Sequence, residues 1–474
     1  MSSIDSALEK TLFGHPSRLA YLFGTEMWER FSYYGMRLLL PLYCLQYLLA
    51  PEHYQTVVGG EFMRHALESV YGSFKTPQQF QSAIYGAYTA LIYASPLIGG
   101  FLADRWFGRR YTVVAGGLIM AVGHFLMAFE NYFYFALLFL IIGNGGFKPN
   151  ISIQVGGLYK PGDHRIDRAY SIFYVGTNLG ALLGQIFCGM FGDAKMWSYG
   201  FGAAGVAMLI GTVVYLFALR VLPDDRPRRA AIAAAAGPKF SQSDWYAFVI
   251  LWLLFIPGCL FWATYEQSGN TVEVWSVDHL NRVVSLGFTS FTLSVGMIQA
   301  FNSIFILILT PLVIWFWKKQ EVRGREPSAV IKMAFGFVIL SLSYLILAGA
   351  QAMAGGGQVH WLWCLFYFGV YTLGELYFSP VGLSLYSKAA PPQVAALMMA
   401  VFLATSFPGN FLAGWLGKFY SEMSNVDFFL LIAAIAAAPA PIIWAFNGPL
   451  KRIMKEHEER RLNPADMPYR TPMQ

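Results

Sequence analysis

The chain has 474 residues, of which 56% are hydrophobic, 17% aromatic and only 13% charged, and its formal net charge is +6. A soluble globular domain carries about 25% charged residues, so this composition excludes that class. Apolar runs long enough to cross a ~30 Å hydrocarbon core recur along the whole length and predict an all-α membrane protein in a lipid bilayer. The basic residues fall in short loops between these runs, which indicates membrane orientation rather than nucleic-acid binding.

The apolar runs predict twelve transmembrane helices. They are expected at about residues 19–49, 78–103, 111–129, 132–158, 166–191, 198–220, 244–268, 287–317, 329–352, 360–387, 393–420 and 426–447. The first run is too long and too charged for a cleavable signal peptide, so we expect it to remain as the first helix. Basic clusters occupy alternate loops, which places the N-terminus, the central linker and the C-terminus in the cytoplasm.

A change of composition in the middle of the chain predicts the domain organisation. The predicted parts are an N-terminal six-helix bundle at 1–221, a cytoplasmic linker at 222–243, a C-terminal six-helix bundle at 244–450 and a cytoplasmic tail at 451–474. Two halves of six helices are typical of the major facilitator fold, in which substrate binds at mid-membrane between the halves and access alternates. The loop from Gly100 to Arg110 resembles the signature loop of that superfamily, and this resemblance implies a gating role for Asp104. A basic loop that only sets topology is the alternative.

Four ionisable side chains lie inside the first predicted helix. Glu26, Glu29, Arg30 and Arg37 fall on one helical face. Each costs roughly 2.5 to 3.5 kcal/mol near the bilayer centre, so this face requires partner groups, water or a function. The alternative is a Glu–Arg pair that only holds helices together.

Other reactive residues are scattered. Cys44, Cys188, Cys259 and Cys364 fall singly in different apolar runs, which predicts buried, inert thiols. His124 is the only histidine in the interior of a predicted span, and we expect it to be a packing residue. No nucleophile–base or metal-binding constellation is evident, so we expect neither an enzyme nor a metal site.

Several segments resemble one family. Residues 26–35 match the pattern Glu-x-x-Glu-Arg-Phe-x-Tyr-Tyr-Gly of the proton-dependent oligopeptide transporter family at every defined position. Segments 143–150, 173–180, 261–267 and 374–380 resemble further motifs of that family, in the same order. The chain also departs from the pattern, since its linker is too short for the two extra helices of many bacterial members. Tyr85 stands near the place where animal members have histidine, and Phe402 where many members have tryptophan.

The resemblance implies a peptide-binding site. Arg30 and Lys148 can hold a peptide carboxylate, and Glu375 in the second half can hold the amino group. The family resemblance implies the same roles for these three positions. The other residues expected to contact substrate are polar or aromatic, namely Tyr33, Tyr34, Tyr93, Tyr174, Asn178, Trp262, Asn302, Ser379 and Phe402. For any single tyrosine, helix packing is the alternative.

Protons are the expected coupling ion, with no other cofactor. Glu26 and Glu29 compete with substrate for Arg30 and Lys148, so their protonation would release both cations. Arg37 and Glu266 resemble the family's extracellular gating pair. The predicted coupling residues are therefore Glu26, Glu29, Arg30, Lys148, Glu266 and Glu375, and the predicted gating residues are Arg37, Glu266 and Asp104.

These expectations together predict a proton-coupled symporter that imports di- and tripeptides by alternating access. It is expected to act as a monomer in the cell membrane, specifically the bacterial inner membrane. Two alternatives stay open: a family relative that carries another small metabolite, and a peptide sensor that binds without transporting.

Overall fold

The protein is mostly helical. The computed structural model describes residues 11–12, 14–159, 163, 165–223, 241–391 and 394–462. The helices before the central linker are α1 Arg18–Tyr43, α2 Pro51–Tyr54, α3 Gly60–Tyr71, α4 Pro77–Leu102, α5 Arg109–Leu126, α6 Phe133–Gly156, α7 Ile166–Asp193 and α8 Trp197–Ala218. Residues 224–240 and 463–474 lie outside the described part, so most of the predicted linker and the end of the predicted tail do too.

The part after the linker is also helical. Its helices are α9 Gln242–Leu253, α10 Phe255–Tyr265, α11 Glu273–His279, α12 Val295–Val322, α13 Ala329–Ala354, α14 Leu362–Ala389, α15 Ala395–Ala404, α16 Ser406–Gly417, α17 Asn425–Ala437, α18 Pro439–Ala445 and α19 Asn447–Leu462. The strands are short, namely β1 Thr11–Leu12, β2 His15–Pro16, β3 Leu280–Asn281, β4 Val283–Ser285, β5 Ser290–Thr292 and β6 Val359–His360. Antiparallel pairs join β1 to β2 and β4 to β5.

Within the described residues, nine helical runs are long and apolar enough to cross a bilayer. The predicted spans at 19–49, 111–129 and 360–387 correspond to helices α1, α5 and α14, which are not among the nine. Helix α1 carries the four ionisable residues of the first predicted span. The multi-pass helical membrane fold is therefore confirmed, whereas the number of twelve spans and the cytoplasmic termini stay predictions.

Proline divides three of the predicted spans. Spans 244–268, 393–420 and 426–447 each contain two consecutive helices rather than one. The first helix of each pair ends four residues before a proline, with the ends at Leu253, Ala404 and Ala437 and the prolines at Pro257, Pro408 and Pro441. A proline has no N–H to donate to the carbonyl four residues earlier, so the helical hydrogen-bond ladder is interrupted there.

The chain forms two compact units. Unit 1 comprises Met1–Ala230, Gln267–Leu307 and Gly417–Glu422, and unit 2 comprises Ala231–Glu266, Ile308–Leu416 and Met423–Gln474. In unit 1, α1 packs against α7 and α8, and in unit 2, α13 packs against α14 and α17. The predicted domain boundaries stay a prediction.

Glycines allow α1 and α7 to approach closely. A Cβ at Gly35 would lie 3.2 Å from Cβ of Cys188, and a Cβ at Gly180 would lie 3.0 Å from Cβ of Arg30. Small residues at a membrane helix interface let two backbones come together. The glycines of the motifs at 26–35 and 173–180 therefore position the charged face of α1 against α7.

Candidate functional site

An ion cluster on α1 lies buried within unit 1. Glu26, Glu29 and Arg30 are 3%, 1% and 2% exposed. Arg30 donates from Nε to Glu29 Oε2 at 2.5 Å and from Nη2 to Glu29 Oε1 at 2.6 Å. Its Nε also lies 3.5 Å from Glu26 Oε1. This two-pronged pairing is the strongest geometry that a guanidinium offers a carboxylate.

Two neighbouring helices complete the surroundings of this cluster. Thr177 of α7 donates a hydrogen bond from Oγ1 to Glu26 Oε1 at 3.4 Å. Lys148 of α6 interacts electrostatically with Arg30, Glu26 and Glu29. The structure thus brings together the four predicted coupling residues of unit 1. Arg30 and the two carboxylates are buried and Lys148 is half-buried, so protonating either carboxylate would leave an excess of positive charge that attracts an anion.

The side chains that follow Arg30 on α1 form a polar and aromatic layer. The guanidinium of Arg30 lies 4.9 Å from the centre of the Tyr33 ring, and the rings of Tyr33 and Tyr34 meet edge to face at 5.2 Å. Ser32 Oγ and His124 Nε2 share a hydrogen bond of 2.6 Å. The histidine expected to be a packing residue is indeed buried, and it also fixes the middle of the motif to α5.

The predicted gating residue Arg37 belongs to unit 1. It donates from Nε and Nη2 to the Tyr85 hydroxyl of α4, at 2.9 and 2.6 Å. Its guanidinium also lies 5.6 Å from the centre of the Tyr85 ring. Glu266 belongs to unit 2, where it is 1% exposed. The pairing of Arg37 with Glu266 stays a prediction.

The other residues predicted to contact substrate in unit 1 differ in exposure. Asn178 is buried and donates from Nδ2 to the carbonyl of Tyr174 one turn earlier, at 2.9 Å. Tyr174 is exposed, whereas Tyr93 on α4 and Asn302 on α12 are half-buried. Exposure and internal hydrogen bonds do not show which side chains contact substrate, so the contacts of these residues with substrate stay predictions.

In unit 2, the predicted amine-binding residue is part of a tyrosine network. Tyr265 of α10 donates from its hydroxyl to Glu375 Oε2 of α14 at 2.7 Å. The rings of Tyr265 and Tyr371 stack at 4.4 Å, and the Tyr371 hydroxyl donates to the Tyr265 carbonyl at 2.9 Å. These contacts hold the half-buried carboxylate of Glu375 in a defined position.

An aromatic cluster surrounds the other predicted residues of unit 2. Phe378 of α14 lies 6.2 Å from Trp262 and 5.8 Å from Phe402, measured between ring centres. Phe402 is 3% exposed and also packs 5.1 Å from Tyr386. Trp262 and Ser379 are half-buried. Phe402 thus acts as a packing residue in this structure, and its contact with substrate stays a prediction.

The signature loop contains its own ion pair. Residues Ala103–Phe107 form a π-helical turn before α5, and Arg109 donates to Asp104 Oδ1 at 3.0 Å. Arg110 donates to the carbonyl of Leu219, just after α8. Asp104 therefore pairs with the first residue of α5, and the loop is joined to a second helix end.

Three partners of the predicted residues were not predicted from the sequence, namely Thr177, Tyr85 as the acceptor for Arg37, and Tyr265. Each lies within or beside a segment that the family resemblance had already marked. Their hydroxyl groups could therefore have been proposed as hydrogen-bond partners, but no spacing rule connects residues on separate helices. Among the described residues, no group of three or more His, Cys, Asp or Glu side chains can hold a metal ion.

Comparison with known proteins identifies the family. A family model described as the POT family matches residues 110–240 and 241–436. The chain is 30% identical to an uncharacterized transporter of Bacillus subtilis (strain 168), YclF, with 96% of this chain and 98% of that protein covered. It is 29% identical to a di-/tripeptide transporter of Lactococcus lactis subsp. lactis (strain IL1403), with 94% and 98% covered.

A solved structure agrees with these matches. The crystal structure of a POT family transporter in complex with 5-aminolevulinic acid is 28% identical in sequence and superposes with a TM-score of 0.77, over 95% of this chain and 100% of that chain. The relatives are transporters rather than enzymes. Because the family model matches more than half of the chain, the resemblance of its motifs is confirmed, and the chain belongs to the POT family of membrane transporters.

Proposed function

We propose that the protein is a proton-coupled symporter that imports di- and tripeptides. The observation that carries this proposal is the double hydrogen bond between Arg30 and Glu29, buried beside Glu26 and Lys148. A carboxylate already occupies the forked donor of Arg30. A peptide carboxylate can take that place once Glu29 is protonated, because the neutral carboxyl no longer balances the guanidinium charge.

The amino end of the peptide requires an anion. Glu375 supplies one, oriented by the hydroxyl of Tyr265 at 2.7 Å. Arg30 and Lys148 holding the carboxylate and Glu375 holding the amine would together recognise the zwitterion of a short peptide. In this proposal the transported proton is shared among the coupled carboxylates Glu26, Glu29, Glu266 and Glu375.

The name of the Lactococcus relative supports a di- or tripeptide as substrate. We further propose twelve transmembrane helices with both termini in the cytoplasm, a location in the bacterial inner membrane and a monomer as the working unit. Binding and release would follow alternating access, with Arg37, Glu266 and Asp104 as gating residues.

The proposal is tested by uptake into proteoliposomes. The protein is reconstituted, the solution outside the vesicles is made more acidic than the inside, and accumulation of a labelled dipeptide is followed. We expect accumulation above the outside concentration that disappears when a protonophore collapses the gradient. Unlabelled di-, tri- and tetrapeptides are then added as competitors, and we expect the tetrapeptide to compete least.

The same experiment separates the alternatives. A sensor would bind the dipeptide but would not accumulate it. A carrier of another small metabolite is favoured by the relative that binds 5-aminolevulinic acid, a molecule with one amine and one carboxyl group. Accumulation of labelled 5-aminolevulinic acid without inhibition by dipeptides would establish that alternative and contradict peptide transport.

A further inference from the structure

Glu273 is a buried acid that neither the family resemblance nor the proposed function uses. It is the first residue of α11 and lies within the apolar helical run Gln242–His279. The residue is 2% exposed, and its Oε1 has no hydrogen-bond partner in the described part of the chain. An ionised carboxylate in such a place is costly, so an acid inside a membrane span is a functional candidate by default.

The segment before Glu273 lies against Arg37. Residues Ser268–Val272 form a π-helical stretch, a distortion that is frequent at functional sites. A Cβ at Gly269 in this stretch would lie 3.2 Å from Arg37 Nη2 and even closer to the Tyr85 hydroxyl. Glu273 follows one turn later, and Arg37 acts electrostatically on its carboxyl group.

The titratable groups around Glu273 come from three helices of unit 1. Helix α1 provides Arg37, and α4 provides Tyr85, which accepts both hydrogen bonds from that arginine. Helix α11 itself carries Asp278 and His279 in its last turn. Arg37 is the charged group of this set that acts on the Glu273 carboxyl. An ionised Glu273 would therefore balance the positive charge of Arg37, and a protonated Glu273 would not.

We propose that Glu273 is a further proton-binding carboxylate of the transport cycle. It is neutral in the buried arrangement described, with a proton taken from water on the acidic side forming its O–H bond. When this proton leaves to water on the other side, the carboxylate becomes a counter-charge for Arg37. The inference rests on the proposed proton-coupled transport, and it gives the gating arginine a partner that titrates.

The test uses Glu273→Gln, which preserves shape and fixes the neutral state, and Glu273→Asp, which keeps the acid. Asp278→Asn, on the same short helix, is the matched control. Each variant is reconstituted, and two rates are measured with a labelled dipeptide: accumulation on a pH gradient, and exchange at equal pH on both sides. Accumulation by the unmodified protein and by each variant is also followed as a function of pH.

We expect Glu273→Gln to lose accumulation by about tenfold or more while exchange persists, and its uptake to lose the pH dependence of the unmodified protein. Glu273→Asp and Asp278→Asn should retain both accumulation and pH dependence. Undiminished accumulation by Glu273→Gln would overturn the inference and leave peptide transport intact. Loss of both accumulation and exchange in Glu273→Gln would overturn it in favour of a structural role. Absence of accumulation by the unmodified protein would instead refute the proposed function.

Discussion

Arg30 and Glu375 are charged residues with different kinds of internal partner. Arg30 meets the charged carboxylate of Glu29 through two hydrogen bonds, whereas Glu375 accepts a hydrogen bond from the neutral hydroxyl of Tyr265. A hydrogen bond from tyrosine orients Glu375 without cancelling its charge. In the proposed function, a ligand amine is recognised by Glu375 in the position that Tyr265 helps to fix, while a ligand carboxylate must replace an anion at Arg30.

The proposed role of Glu375 predicts a dependence on the free amino group. An N-acetylated dipeptide should compete with labelled dipeptide about tenfold or more weakly than the free dipeptide, since a hydrogen bond to a charged group contributes about 1.5–3 kcal/mol. Competition curves in proteoliposomes measure this difference. In Glu375→Gln the two competitors should become similar, whereas Tyr265→Phe should preserve most of the discrimination. Equal competition by both peptides in the unmodified protein would remove the assignment.

The charged face of α1 was partly predictable from the sequence. Helical spacing places Glu26, Glu29 and Arg30 on one face, and their burial is confirmed. The hydrogen bond from Thr177 and the one from Arg37 to Tyr85 were not predicted. Such contacts join helices that are far apart in sequence, so they depend on packing and rotamers that periodicity does not contain.

Among the elements, the packing of α1 against α7 positions the charged face. Gly180 of α7 lies against the backbone of Met27 and the side chain of Arg30. The sequence marked this glycine only through a family motif. In physical terms it is needed because the two helices approach too closely for a side chain.

Gly180→Ala should therefore destabilise the protein. The added methyl group meets backbone that cannot move aside, and overpacking of this kind costs about 1–3 kcal/mol. Gly202→Ala on α8 is the matched control, because a Cβ there has no neighbour within 4 Å. We expect a lower apparent melting temperature in detergent for Gly180→Ala and an unchanged or higher one for Gly202→Ala. The same melting temperature for both variants would contradict this account of the α1–α7 contact.

The three predicted spans that contain two helices each are the clearest difference from the sequence prediction. Hydropathy treats residues 244–268, 393–420 and 426–447 as single spans because the apolar character continues through each break. The structure ends the first helix of each pair at the carbonyl that a proline cannot satisfy. Pro257 and Pro408 are visible in the sequence, but membrane helices often continue through proline as a kink. Sequence therefore indicates where a helix is weakened without deciding whether it ends.

For the whole molecule, hydropathy predicts the multi-pass character correctly, and charge distribution predicts its orientation. The four cysteines, Cys44, Cys188, Cys259 and Cys364, are buried. This agrees with the expectation of buried thiols and provides a low background for labelling. Val58 and Val322 are 50% and 81% exposed, and the predicted topology places them on opposite sides of the membrane.

The predicted topology can be measured with single cysteines at these two positions. In cells with a permeabilised outer membrane, a membrane-impermeant maleimide should label Val58→Cys. The same reagent should label Val322→Cys only after the inner membrane is opened, because the basic residues beyond α12 are predicted to be cytoplasmic. The unmodified protein is the control for background. Labelling of Val322→Cys in closed cells would show that the orientation is reversed.

The bond between Glu29 and Arg30 has a consequence for apparent affinity. In the proposed function, Glu29 acts as an inhibitor that is covalently attached beside Arg30, whose guanidinium it occupies. Its effective concentration is therefore high and independent of the peptide supplied. In the proposed function, only the population in which Glu29 has been neutralised offers Arg30 to a ligand, and apparent affinity scales with that population. Outside acidity would thus set the fraction of carriers ready to bind, much as a second substrate does in an ordered reaction.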